Sequence, residues 1–272
     1  MGARWLPLTL LSIFCGAGCC LQITGIKAPR LVLTGERVHL SCSFRLDGDT
    51  LYSLTWWKDD KIFYRFIPKS SPPGAVFPLP GITVDERISS LHQVTLSQVD
   101  HRASGKLRCE VLGDSPNFEQ DTMDSNITVI AKPESGPSLT GVQGPYTVGH
   151  LLLVNCSSPF SYPPTTLTWH INGHQASHAT VVQYPGKTDG EGLEASWSGL
   201  HMCLQKEHFQ EGVLVLRCTA SILNVYKKSS QVTIFDSRYE GSDPPEGEST
   251  AGRGTSVATQ LLSVLLFSLA AT

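Results

Sequence analysis

The sequence predicts an all-β chain built as two tandem β-sandwiches, and three observations carry that prediction. Cys42 sits in Val38-His39-Leu40-Ser41-Cys42-Ser43-Phe44, apolar at every second position, the period of a strand with one buried face. Trp56 ends a second alternating run, Leu54-Thr55-Trp56, fourteen positions later. Cys109 lies in a third, Leu107-Arg108-Cys109-Glu110-Val111, behind the turn-forming Asp100-His101-Arg102-Ala103-Ser104-Gly105. A disulfide across two sheets with an indole packed on it is the pin of an immunoglobulin-like sandwich, and this Cys…Trp…Cys spacing is its signature. Bridging Cys42 to Cys109 closes a loop spanning 67 positions, worth about 4 kcal/mol on a chain-entropy model. That is a large share of the stability of an ordinary domain.

The same scheme recurs downstream. Cys156 lies in Leu152-Leu153-Val154-Asn155-Cys156-Ser157, Trp169 follows thirteen positions on, and Cys218 lies in Val213-Leu214-Val215-Leu216-Arg217-Cys218-Thr219-Ala220. Trp56 and Trp169 are the two core indoles. With 272 residues the chain has room for two such domains. A hydrophobic fraction of 40% and a net charge of −3 describe ordinary globular material with no basic field to attract nucleic acid.

Residues 1–20 read as a signal peptide: Arg4 gives a positive start, Leu6 to Phe14 a short apolar run, and Gly16, Ala17 and Gly18 lead to cleavage after Cys20. A secretory route permits disulfides. Of eight cysteines, Cys15, Cys19 and Cys20 leave with the signal, so five remain and one is unpaired.

The first domain is assigned to residues 21–131 and is of V or I type. Leu21 to Lys27 is its first strand, interrupted by Ala28-Pro29-Arg30 at a sheet edge or a switch between sheets. Leu51 to Trp57 is followed, across Asp59-Asp60, by the aromatic run Ile62-Phe63-Tyr64-Arg65-Phe66. Pro68 to Gly81 carries five prolines and reads as a stiff loop that no central strand could accommodate. Asn126-Ile127-Thr128 on the last strand is an N-glycosylation acceptor.

The run Leu51 to Asp59 with its Trp56-Trp57 pair, then Phe63-Tyr64-Arg65-Phe66-Ile67-Pro68-Lys69, Pro72-Pro73, Val76-Phe77-Pro78-Leu79-Pro80-Gly81 and Ser104 to Val111, resembles the beaten path family of arthropod neural cell-surface proteins. The motifs that carry the resemblance fall in the first domain; the second is similar in layout but less distinctive. The resemblance implies recognition of immunoglobulin-superfamily partners of the sidestep kind, in axon guidance and fasciculation. One departure is Leu107, two positions before Cys109, where a tyrosine usually makes the corner hydrogen bond.

Residues 132–138 form a polar, two-proline, semi-rigid linker and 139–236 the second domain. Leu216 again stands at the corner-tyrosine position. Asn155-Cys156-Ser157 is a second formal glycan acceptor, with cysteine at its centre. Alternation in Leu200-His201-Met202-Cys203-Leu204 turns Cys203 outward; Cys218 is the favoured partner of Cys156, and Cys203 the alternative. From 237 to 256 the chain is a polar stalk, and 257–272 an apolar tail too short to span a ~30 Å hydrocarbon core. Ser249-Thr250-Ala251, a spacer and that tail match a lipid-attachment signal of the GPI type, with Ser249 as the attachment residue and a cell-surface location as the consequence.

No nucleophile motif, phosphate loop or paired carboxylates in an evident cleft points to an enzyme, so no catalytic residue and no cofactor is assigned. His170, His174 and His178 have helical metal spacing, but they follow a core strand through an Asn172-Gly173 turn, on which their side chains diverge, so no metal is assigned either. The function expected is cell-surface recognition; the competing class is a secreted or shed module that traps a soluble factor. The contact surface expected is the outer face of the first domain's front sheet. Trp57, Arg108 and Glu110 point outward there by alternation, with Phe63, Tyr64, Arg65 and Phe66 on the adjacent strand, half of them outward, and Phe77 on the proline-rich loop. Aromatic anchors with arginine make up the usual composition of binding hot spots.

Overall fold

The computed structural model describes residues 21–238. The expected signal peptide, most of the stalk, the apolar tail and Ser249 lie outside the described residues. The first sandwich contains β1 (Gln22–Lys27), β2 (Leu31–Leu33), β3 (Val38–Arg45), β4 (Leu51–Lys58), β5 (Lys61–Phe66), β6 (Gly74–Val76), β7 (Ile82–Val84), β8 (Val94–Val99), β9 (Gly105–Gly113) and β10 (Gln120–Ile130). One sheet runs β1-β3-β8-β7 and the other β2-β10-β9-β4-β5-β6. The interruption at Ala28-Pro29-Arg30 is a switch between sheets: β1 pairs antiparallel with β3, whereas β2 pairs parallel with β10. Proline without an N–H cannot continue the first ladder, and the chain leaves it there.

The second sandwich contains β11 (Ser138–Thr140), β12 (Leu151–Ser161), β13 (Thr166–Ile171), β14 (His174–Gln175), β15 (Val181–Thr188), β16 (Glu194–Cys203), β17 (Val213–Ile222) and β18 (Tyr226–Phe235). Its sheets are β11-β12-β16-β15 and β14-β13-β17-β18. Asn172 and Gly173 join β13 to β14 with positive φ at both positions, the backbone of a two-residue hairpin turn.

Each core is pinned as the spacing predicts. Cys42 is bonded to Cys109 and Cys156 to Cys218; Cys203 is exposed and free. Trp56 is 1% exposed and packs among Leu40, Leu54 and Leu96. Trp169 donates its indole N–H to Ser198 Oγ at 3.0 Å, so the buried ring leaves no orphan donor. Leu107 and Leu216 extend the two cores where the corner tyrosines would stand.

The proline-rich stretch departs in part from a pure loop. Gly74–Val76 forms β6, pairing with β5 at the sheet edge, where missing N–H groups are tolerated. The expected semi-rigid linker and its flanks are docked on the second domain. Ile130, the last residue of β10, and Leu33 pack into the second core. Ala131 and Tyr162 exchange two backbone hydrogen bonds at 2.9 Å, and Tyr226 donates to the Ser135 carbonyl at 2.8 Å.

Candidate recognition face

The outer face of the β10-β9-β4-β5-β6 portion of the first front sheet is assembled by period two. Arg108 pairs across β9 with Trp57 on β4 and with Asp124 on β10; Glu110 pairs with Thr55 and with Thr122. Trp57 is therefore turned away from Trp56 and stands half-buried beside Ile62 and Arg108. Its indole nitrogen is shielded from solvent without a hydrogen-bond partner. An unmet buried donor costs about 1–3 kcal/mol.

Charge on this face is paired and ordered. Arg108 donates to both oxygens of Asp124, at 2.7 and 3.0 Å, a bidentate fork. The hydrogen bonds from Arg108 hold the Asp124 carboxyl below its ordinary range, against the opposing effect of burial. The same pair raises Arg108 further above its already high value. Glu110 accepts from Gln120 at 3.1 Å, and Arg65 reaches across to Thr55 at 3.3 Å, its side chain lying over a fully buried threonine.

The β4–β5 turn closes one end of the face. Lys58 is buried and pairs with Asp59, whose second oxygen accepts from the Lys106 backbone at 2.8 Å. Burial works to raise the Asp59 carboxyl, but Lys58 and the Lys106 amide together hold it below its ordinary value. Gly105 makes room: a Cβ there would stand 2.6 Å from the Asp59 carboxylate, and its φ of +141° suits only glycine.

Two of the expected surface residues are corrected. Phe63 and Tyr64 are 0% and 2% exposed and both belong to the first core. A register shift opposite Trp56 and Trp57 makes β5 bulge, so two consecutive aromatic side chains enter the interior. Strict alternation had placed one of them outside. Phe66 is half-buried and packs on the same core. Arg65 remains on the outer face, and Phe77 is 40% exposed just beyond β6, its N–H donated to the Phe63 carbonyl.

The face thus brings together Trp57, Arg65, Arg108 and Glu110, with Phe77 at the β6 edge. Asp124 and Lys106 escaped the sequence reading. The signal for Asp124 was available, since it shares parity on the last strand with Asn126. Asn126 is exposed on the same face, opposite Lys106.

In the second domain, His170 is on β13, His174 on β14 and His178 in a short 3₁₀ turn, three separate elements. A concavity of about 610 Å³ is lined by His174, His201, Cys203 and His208. Among the described residues, no three His, Cys, Asp or Glu side chains are grouped to hold a metal ion, and no helix is long and apolar enough to cross a membrane.

The chain is a two-domain protein of immunoglobulin-like fold. Among solved structures it is similar to Rst D1–D2, with a TM-score of 0.55 and 15% identity over 80% of this chain and 99% of that one. It is also similar to murine CEACAM1b, with a TM-score of 0.50 and 16% identity over 79% and 98%. No family model matches the sequence, and no curated protein sequence matches it.

Proposed function

We propose that this protein recognises another protein at a cell surface through the outer face of its first domain. The observation that carries the reading is Trp57, a half-buried indole with an unmet N–H, set beside the ordered Arg108–Asp124 fork on an open sheet face. An aromatic and a guanidinium already held in place lose little side-chain freedom on binding, and together they form the usual centre of a hot spot. Rst and CEACAM1b share the two-domain architecture at identities that speak to fold. The partner class comes from the beaten path resemblance of the first domain: an immunoglobulin-superfamily protein of the sidestep kind, with a role in axon guidance and fasciculation. Attachment to the membrane is through a GPI-type lipid at Ser249.

The test is a binding screen with residues 21–248 displayed multivalently, since weak contacts register only with avidity. The panel holds immunoglobulin-superfamily ectodomains, sidestep-like ones included. A specific partner lost on Trp57→Ala and on the charge reversal Glu110→Arg, with both variants folded by circular dichroism, supports the reading. A blank panel with folded protein favours capture of a soluble factor. Release of the full chain from cells by a phosphatidylinositol-specific phospholipase tests the anchor separately.

A further inference from the structure

The outer face of the second domain's β11-β12-β16-β15 sheet carries a group of exposed apolar side chains among polar ones. Leu151 and Leu153 on β12 are 62% and 45% exposed, and Val182 and Tyr184 on β15 are 37% and 39% exposed. Apolar area of this kind normally marks something that covers it. At its centre is Asn155. The pairing Asn155↔Gly199↔Val182 forms one row across the sheet, with Leu153↔His201 on one flank and Ser157↔Trp197↔Tyr184 on the other. Asn155 is exposed and shares the outward parity of Leu151 and Leu153. Gly199 lets the Tyr184 ring lie over the strand: a Cβ there would stand 2.7 Å from the Tyr184 hydroxyl, which is itself held by His201 at 3.1 Å. The result is an ordered aromatic platform next to an acceptor asparagine.

We infer that Asn155 carries an N-linked glycan whose first sugars lie on this platform and cover the exposed apolar side chains. Asn155-Cys156-Ser157 satisfies the acceptor pattern, and the apolar C–H face of a pyranose suits a tyrosine ring flanked by leucine and valine. The donor is an oligosaccharide linked to a lipid pyrophosphate. Transfer forms the bond from sugar C1 to Asn155 Nδ2, breaks the C1–O bond to the pyrophosphate, releases the lipid pyrophosphate, and removes one proton from the amide nitrogen. The inference rests on the secretory reading of the chain and not on the first-domain face. It assigns recognition to one domain and a sugar-shielded surface to the other.

The experiment uses full-length protein made in eukaryotic secretory cells. Enzymatic deglycosylation in ¹⁸O-water, then reduction, digestion and mass spectrometry, reads occupancy at Asn155 and Asn126 separately. The expected result is an occupied Asn155. Removing the sugar, enzymatically or by Asn155→Gln, is then expected to raise the fluorescence of an apolar-surface dye several-fold, and the pair Leu151→Ser with Leu153→Ser to bring it back. Asn126 occupied with Asn155 bare overturns the inference and leaves the face to a second copy or another protein. Both sites bare, with the chain retained inside the cell, overturns the secretory reading and the inference with it. An occupied Asn155 whose removal leaves dye binding unchanged overturns the shielding.

Discussion

Asp100 shows how one side chain can secure a corner where the usual tyrosine is absent. Its carboxylate accepts from the Arg102 backbone at 2.8 Å and caps the short turn before β9, while the Arg102 side chain closes on both of its oxygens. Ser104 adds a second tie, its hydroxyl accepting from the Val129 amide at 2.8 Å. Asp100→Ala is expected to cost about 1 kcal/mol, as lost caps do, measured by urea unfolding. The hydrogen bonds from Arg102 depress the Asp100 pKa, against the effect of burial. Because the folded value lies below the unfolded one, the stabilisation is full above the ordinary carboxylate range, near 3.8, and is lost as pH falls through the folded value. The Tm gap between wild type and Asp100→Asn is therefore expected to be constant near neutral pH and to close in acid. Leu216→Ala, which opens a cavity beside the second disulfide, is expected to cost about 3 kcal/mol by the same unfolding measurement.

At the scale of elements, much of the architecture was legible because its signals are local and repeated. Alternation around each cysteine located β3, β9, β12 and β17, and a lone proline marked the place where β1 gives way to β2 in the opposite sheet. The bulge in β5 was not legible. Ile62-Phe63-Tyr64-Arg65-Phe66 holds four hydrophobic side chains among five, so the pattern does not say where the period slips; that is decided by the partner strand. The difference is measurable. Phe63→Ala is expected to destabilise the domain by about 3–5 kcal/mol as a core truncation, whereas Phe77→Ala is expected to stay within about 0.5 kcal/mol of wild type. Chemical denaturation of the two variants side by side checks both. The Arg108–Asp124 fork was hidden for a related reason: complementary charges on adjacent strands are recognised only once the register between β9 and β10 is known.

Across the two sandwiches, the junction is built from core residues as well as polar contacts. Ile130 belongs by sequence to the first domain and by packing to the second. His101 hydrogen-bonds the Glu191 carbonyl at 2.8 Å and packs its ring on Tyr162 at 5.5 Å, while Arg102 stands 3.6 Å from the Glu191 carboxylate. The linker's two prolines predicted stiffness, but not that its flanks would be shared between two cores, which only long-range packing decides. Ile130→Ala is expected to lower the stability of the second domain by about 2–4 kcal/mol, although the substitution lies on a strand of the first. Calorimetry of the intact two-domain chain, compared with that of the variant, reads this as a downward shift of the second domain's transition.

β10 leaves the first domain hydrogen-bonded to β9 on one side and β2 on the other, and its last residue is already seated in the next core. A pull transmitted through Ala131 therefore acts along the strand's own axis and loads both ladders in shear. Bonds loaded side by side share the force and yield together, whereas a strand peeled from its end loses them one at a time. A pull along β10 is thus resisted by its bonds to β9 and β2 acting together, with the longer β9 ladder carrying the larger share.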